Sequence, residues 1–130
     1  MAKKILVVED SRITRELIVS TLEEMDELED YEIVEAANGF EALKLLPRNQ
    51  FSLIITDINM PDINGLELVK FIKGNQLYRH IPLIIISTEG SKRDREKGLA
   101  LGADSYIVKP FDPEDLQEVV RKFLVESGNA

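Results

Sequence analysis

Leu53-Ile54-Ile55-Thr56-Asp57-Ile58-Asn59-Met60-Pro61 lies near the middle of a 130-residue chain. Its apolar opening runs only from Leu53 to Ile55, too short for a core helix, and it ends close to a carboxylate. A short β-branched block without polar alternation reads as a strand covered on both faces, the pattern of a parallel sheet. Two other blocks repeat it: Ile5-Leu6-Val7-Val8 before Glu9-Asp10, and Leu83-Ile84-Ile85-Ile86 before Ser87-Thr88. Tyr31-Glu32-Ile33-Val34-Glu35-Ala36 alternates instead, as a half-exposed edge strand does. Tyr106-Ile107-Val108 before Lys109-Pro110 closes the series.

Helical patterns separate these strands. Ile13, Leu17, Ile18, Leu22 and Met25 follow 3–4 spacing behind a Ser11 cap, and Phe40, Leu43 and Leu46 repeat it up to Pro47. Leu66, Val69 and Ile72 make a third stripe, with Gly74 expected just past its end. A fourth helix is expected from Ser91-Lys92-Arg93-Asp94 to Gly102, though its apolar stripe is thin. Asp112 and Pro113 supply a cap and a first-turn proline ahead of Leu116, Val119, Val120, Phe123 and Leu124. The order is β-α five times over, with no linker, low-complexity tract or repeat. The fold class is therefore α/β: a five-stranded parallel sheet with helices on both faces, over a single domain spanning 1–130.

Composition excludes several functions. A hydrophobic fraction of 44% rules out a disordered acidic tail. Zero cysteines exclude disulfides, thiolate metal sites and cysteine catalysis, and a lone histidine, His80, argues against a His-rich metal site. A formal net charge of −8 disfavours nucleic acid as a direct partner. No apolar run approaches the ~20 residues that span a bilayer, and Met1-Ala2-Lys3-Lys4 leads into too few apolar residues for a signal peptide. A cytoplasmic chain without membrane insertion is expected, and the Met1 start reads as an authentic N-terminus.

Ligands of open α/β sheets bind beyond the carboxyl ends of the strands. There the sequence puts Glu9, Asp10 and Asp57, the hydroxyls of Ser87 and Thr88, and the ammonium of Lys109. Singly, each has an ordinary reading: Asp10 can cap the following helix, Ser87 and Thr88 can bond backbone, and Lys109 can be a solvated strand end. Asp57 is harder to explain so, because no helix start follows within four residues. Together the carboxylates would repel one another unless a cation or proton intervened. Oxygen-only ligation suits Mg2+, with Mn2+ able to stand in. A carboxylate can act as a nucleophile and form an aspartyl phosphate, and a hydroxyl and an ammonium facing it would hold the phosphoryl oxygens. The pattern reads as Mg2+-assisted phosphoryl transfer to Asp57. No glycine-rich nucleotide loop accompanies it.

Val8-Glu9-Asp10-Ser11, Asp57-Ile58-Asn59-Met60-Pro61-Asp62-Ile63-Asn64-Gly65, Ser87-Thr88, Gly102-Ala103 and Tyr106-Ile107-Val108-Lys109-Pro110-Phe111 resemble the motif set of response-regulator receiver domains, along essentially the whole chain. The resemblance implies a flavodoxin-like, doubly wound fold with strand order 2-1-3-4-5. It makes Asp57 the phosphoacceptor from a sensor histidine kinase and gives Mg2+ to Glu9, Asp10, Asp57 and the Asn59 carbonyl. It makes Ser87 the switch hydroxyl, Thr88 a backbone contact of the phosphoryl group, Lys109 its counter-ion and Tyr106 the switch aromatic. Asn59 and Glu89 stand where the family tunes hydrolysis of the phosphoryl group, and their polarity implies a short-lived phosphorylated form. The implied role is a two-component signalling switch rather than an enzyme. Its downstream protein target would bind at helix 4, strand 5 and helix 5, and it would be a monomer or weak dimer.

The chain departs from the usual pattern at three places. Glu9 replaces the frequent aspartate, Thr88 the frequent alanine, and Glu23–Asp30 is long and acidic for the first helix-to-strand connection. Other readings remain open: the receiver part of a hybrid kinase or transcription regulator, or a receiver-like binding module that is not phosphorylated. A dehalogenase-type phosphatase would need an aspartate where Asn59 stands, and a substrate-covering cap.

Overall fold

The computed structural model describes residues 3–88 and 92–126. Five strands, β1 Lys3–Val8, β2 Tyr31–Ala36, β3 Phe51–Thr56, β4 Leu83–Ser87 and β5 Ser105–Val108, form one parallel sheet in the order β2-β1-β3-β4-β5. Between them run α1 Arg12–Glu23, α2 Gly39–Leu45, α3 Gly65–Gly74 and α4 Lys92–Ala100, and α5 Pro113–Arg121 follows β5. The chain reverses direction beside β1, the switch point at which such sheets hold their ligands.

The apolar blocks form central strands because they serve two cores at once. Ile5 and Val7 of β1 pack with Leu53, Ile55, Ile84 and Ile86 under Ile18 and Leu22 of α1 and Leu116 and Val120 of α5. Leu6 and Val8 point the other way, joining Ile54, Leu83 and Ile85 under Ala42 of α2 and Leu68, Val69 and Ile72 of α3. Successive strand residues face opposite sides, so a strand covered twice must be apolar throughout. Each such side chain contributes roughly 1.5–3 kcal/mol by leaving water.

Several helix expectations change in detail. The four-residue spacing on α1 traces two neighbouring stripes, and the sheet takes Ile18 and Leu22 while Ile13 remains 81% exposed and Leu17 46% exposed. Met25 lies beyond α1 and, with Leu28, anchors a 3-10 turn at Asp26–Leu28. The acidic Glu23–Asp30 connection is thus tied down by two apolar residues, and Glu27 pairs with Arg121 at 2.5 Å. Phe40 is 56% exposed, because Ala42 is what α2 buries. Pro47 sits inside a 3-10 turn, Leu46–Arg48, that continues α2. Gly74 is the last residue of α3 and not its left-handed successor; the extended Asn75 ends that helix. The tail of α5 continues as a π-helical turn through Glu126.

Ser11 and Asp112 cap α1 and α5 as expected. The thin stripe of α4 has a physical reason. Gly98 is buried, and a Cβ there would lie 2.7 Å from Ile85 Cδ1 and 3.7 Å from Tyr106, so the helix backbone itself rests on the sheet. Gly102 ends the segment after α4 with φ 114°, a conformation suited to glycine. The expected cap at Ser91 lies outside the described residues. No helix among the described residues is long and apolar enough to cross a membrane.

Candidate functional site

Backbone bonding sets the positions of the charged residues. Glu9 N–H donates to Ala36 O at 3.0 Å, Asp57 N–H to Val8 O at 3.1 Å, and Lys109 N–H to Ser87 O at 2.9 Å, each extending a strand pairing by one residue. All three therefore stand at the carboxyl edge of the sheet. Carboxylate oxygens of Glu9, Asp10 and Asp57 lie within 4.8 Å of one another, a cluster that can hold a metal ion. Its donors are hard oxygens, the set that suits a small divalent cation. Asp10 is exposed, and the cap role open to it is taken by Ser11, whose hydroxyl accepts from Thr14 N.

Glu9 is the buried member. Its Oε2 accepts from Ser11 N at 3.0 Å, and its Oε1 lies 2.5 Å from Lys109 Nζ. Loss of water at this depth raises its carboxyl above the ordinary 4.5, aided by the negative charge of Asp57 and opposed by Lys109 and the Ser11 amide. Asp57 is also buried; Ile58 N–H donates to its Oδ1 at 2.7 Å, and Lys109 lies 3.3 Å from Oδ2. One ammonium thus serves two carboxylates.

Of the remaining expected residues, Ser87 is wholly buried at the end of β4 and Thr88 beyond it is exposed. Tyr106 is buried in the core beneath α4, so its ring faces inward. Asn59, the second residue after Asp57, is exposed. Glu89 lies outside the described residues. The Lys109–Pro110 peptide is cis. A cleft of about 850 Å3 opens at the opposite, amino end of the strands, between Lys4, Arg48, Phe51, Tyr78 and His80, and takes in none of the expected site residues.

Three supporting residues were not foreseen. Arg15 on α1 donates from Nη1 to the Glu9 carbonyl at 2.7 Å and from Nε to Glu35 Oε1 at 3.1 Å, holding the turn after β1. Gly65 donates to Ile58 O at 2.7 Å, and a Cβ on it would lie 2.0 Å from Asp57 O. Asp62 accepts from the amides of Gly39 and Phe40. The only sequence signal for these was Gly65 and Asp62 lying in the segment after Asp57; nothing marked Arg15 from other surface arginines.

The model of the response regulator receiver domain matches residues 5–121. The chain belongs to the response-regulator receiver family. Receiver relatives include a chemotaxis protein CheY homolog of Campylobacter jejuni, 42% identical over 93% of this chain and 92% of its own length. The solved structure of chemotaxis protein CheY4 of Vibrio cholerae superposes with a TM-score of 0.84 at 35% identity, covering 95% of this chain and all of its own. The receiver domain of the sensor histidine kinase PA1611 of Pseudomonas aeruginosa, solved with a magnesium ion coordinated in its active site cleft, superposes at 0.82 with 25% identity over 95% and 98% of the two chains. This receiver domain is accordingly a phosphorylation-activated switch of two-component signalling.

Proposed function

We propose that Asp57 is the phosphoacceptor of this receiver domain and that Glu9, Asp10 and the Asn59 carbonyl, with Asp57, hold Mg2+, Mn2+ being able to replace it. The observation that carries this reading is the junction of an acidic cluster within 4.8 Å and an ammonium 3.3 Å from one of its members. The magnesium ion in the PA1611 receiver supports the choice of metal. A bound divalent cation offsets the charge of three carboxylates and of an incoming phosphoryl group.

The chain's own groups then divide the work. An Asp57 carboxylate oxygen attacks phosphorus as the bond to the phosphohistidine nitrogen of a sensor kinase breaks, and that nitrogen keeps the bonding pair. Lys109 passes from a carboxylate counter-ion to a partner of the phosphoryl oxygens, and the Ser87 hydroxyl and Thr88 amide donate to the same group. A buried carboxylate becomes a group of higher charge with three acceptor oxygens. Ser87 is wholly buried at the end of β4, and a bond from it to the phosphoryl group shifts the connection to α4, with Tyr106 beneath that helix adjusting in turn. The α4–β5–α5 surface is the readout for a downstream protein, and the switch acts in the cytoplasm. The role is stoichiometric acceptance followed by self-dephosphorylation, with Asn59 and Glu89 tuning attack of water toward a short lifetime.

Intact mass after incubation with acetyl phosphate tests the reading. One added phosphoryl group, requiring both Mg2+ and Asp57, is expected; no adduct in wild type under conditions that preserve it would turn the reading to a receiver-like module that only binds a partner. A phosphorylated lifetime of hours would overturn the tuning roles of Asn59 and Glu89.

A further inference from the structure

The loop from Ile58 to Asn64, which carries Asn59, packs Ile58, Met60 and Ile63 against the core and is hydrogen-bonded at its base and its tip. At its base, Gly65 N–H donates to Ile58 O at 2.7 Å, and the Gly65 backbone lies directly against the Asp57 carbonyl. At its tip, the Asp62 carboxylate accepts from Gly39 N at 3.2 Å and from Phe40 N at 2.9 Å, the first amides of α2. Those donors have no partner within the helix. The cap residue Asn38 takes a different amide, that of Glu41, at 2.9 Å. The first turn of α2 is therefore satisfied by two side chains, one from its own cap and one from the loop after the phosphoacceptor. Glycine at 39 is what lets the loop approach, since a Cβ there would lie 2.7 Å from Ile63 Cβ.

We infer that Asp62 is a positioning residue that ties the Asn59-bearing loop to the first turn of α2, so that binding of a divalent cation at the acidic cluster and ordering of that turn are coupled. The inference rests on the metal-site reading above and adds a residue and a helix to it. A loop without the Asp62 tether holds its Asn59 carbonyl less firmly, and part of the cost of fixing it falls on cation binding. By reciprocity, a cation that fixes the loop must also lower the open population of the bonds to Gly39 and Phe40. The Asp62 carboxyl supports the contact: partial loss of water raises it, but the amides of Phe40, Ile63 and Gly39 more than offset this and hold it below its ordinary 3.8.

The test is Mg2+ affinity of the full chain by calorimetry, paired with hydrogen exchange of the Gly39, Phe40 and Glu41 amides without and with Mg2+. In wild type, Mg2+ is expected to slow exchange at Gly39 and Phe40. Asp62→Ala is expected to speed both amides in the metal-free protein, abolish their response to Mg2+ and weaken Mg2+ binding about five-fold. Asp62→Asn, which retains one acceptor oxygen, is expected to fall between and guards against misfolding of the alanine variant. Asn38→Ala loosens Glu41 and lowers melting temperature but leaves Asp62 on the Gly39 and Phe40 amides, so it is expected to cost clearly less Mg2+ affinity than Asp62→Ala. Equal loss of affinity in Asn38→Ala and Asp62→Ala would reduce the effect to general loosening of α2 and overturn the inference. So would wild-type affinity in both Asp62 variants while Asp57→Asn loses Mg2+, which would leave the metal-site reading standing. Undiminished binding in Asp57→Asn would overturn both.

Discussion

Lys109 Nζ lies 2.5 Å from Glu9 Oε1, joining residues 100 positions apart in the chain. The same nitrogen reaches Asp57 Oδ2 at the longer distance of 3.3 Å. With one ammonium between two buried carboxylates, the metal-free site carries surplus negative charge; burial is the main cause that raises the Glu9 carboxyl, and the Asp57 charge adds to it. Metal-free wild type is therefore less stable than its fold alone would allow.

Asp57→Asn should relieve that surplus. It removes a charge that raises Glu9, while Lys109 keeps its shorter bond to Glu9. The gain expected in the metal-free protein at pH 7 is about 1 kcal/mol, or ~3–6 °C in melting temperature. The pH dependence follows from the direction of the Glu9 shift. A carboxyl held above 4.5 favours the folded state below that pH and loses the advantage as pH rises through its folded value. The margin of Asp57→Asn over wild type should widen above pH 4.5 and reverse when Mg2+ is added. Thermal melts across pH, with and without Mg2+, check this; equal or lower stability of the mutant without metal would count against a crowded site.

Glu27 offers the opposite sign. Its bond to Arg121 lowers its carboxyl below the ordinary 4.5, outweighing a small opposing loss of water. A lowered carboxyl stabilises the fold above the unfolded value and loses that effect as pH falls through the folded one. Glu27→Gln should melt slightly below wild type at pH 7, and the deficit should fade as pH drops below 4.5 and shrink in high salt. The contact is exposed, so a large deficit would mean that the Met25–Leu28 turn itself had been disturbed.

Much of this was legible before any coordinates. Ile5–Val8, Leu53–Ile55 and Leu83–Ile86 read as central strands, because they are too short for core helices, rich in β-branched residues and without a polar face. Once the strands were placed, Glu9, Asp10, Asp57 and Lys109 followed at their ends. What was hidden depended on orientation and backbone. Ile13 and Leu17 have the same spacing as Ile18 and Leu22, and only the packing of α1 decides between them. The seat of α4 rests on an absent side chain at Gly98, and Asp62 reads as an ordinary turn residue until α2 lies against it.

Lys73 gives a prediction away from the site. Its ammonium donates to Ile81 O at 2.7 Å, Asp104 Oδ2 at 2.9 Å and Arg79 O at 3.2 Å, joining α3 to the segments that lead into β4 and β5. The Asp104 carboxylate in turn accepts from Leu83 N at 2.8 Å. Lys73→Met keeps the aliphatic stem that lies on Gly102 and deletes the charge. It should cost about 2 kcal/mol in denaturant unfolding while leaving phosphorylation by acetyl phosphate unchanged. Loss of phosphorylation would show that the amino end of β4 communicates with the site.

Gly65→Ala is expected to do the reverse of a surface change, although it removes no functional group. The added methyl would meet Asp57 O at 2.0 Å and Ile58 Cα at 2.6 Å, and both are backbone atoms that cannot rotate away. Either α3 backs off the sheet, losing contacts of Leu68 and Val69 with the core, or the Asp57 peptide moves. Overpacking of this kind costs about 3 kcal/mol when backbone must yield. Moving the Asp57 peptide also shifts its carboxylate from Lys109 and from the other carboxylates. The variant should therefore lose both stability and the rate of phosphorylation by acetyl phosphate. Comparison with Lys73→Met separates the two losses: at similar stability, only Gly65→Ala should phosphorylate slowly. Equal rates in the two would mean that α3, and not the phosphoacceptor, absorbs the strain.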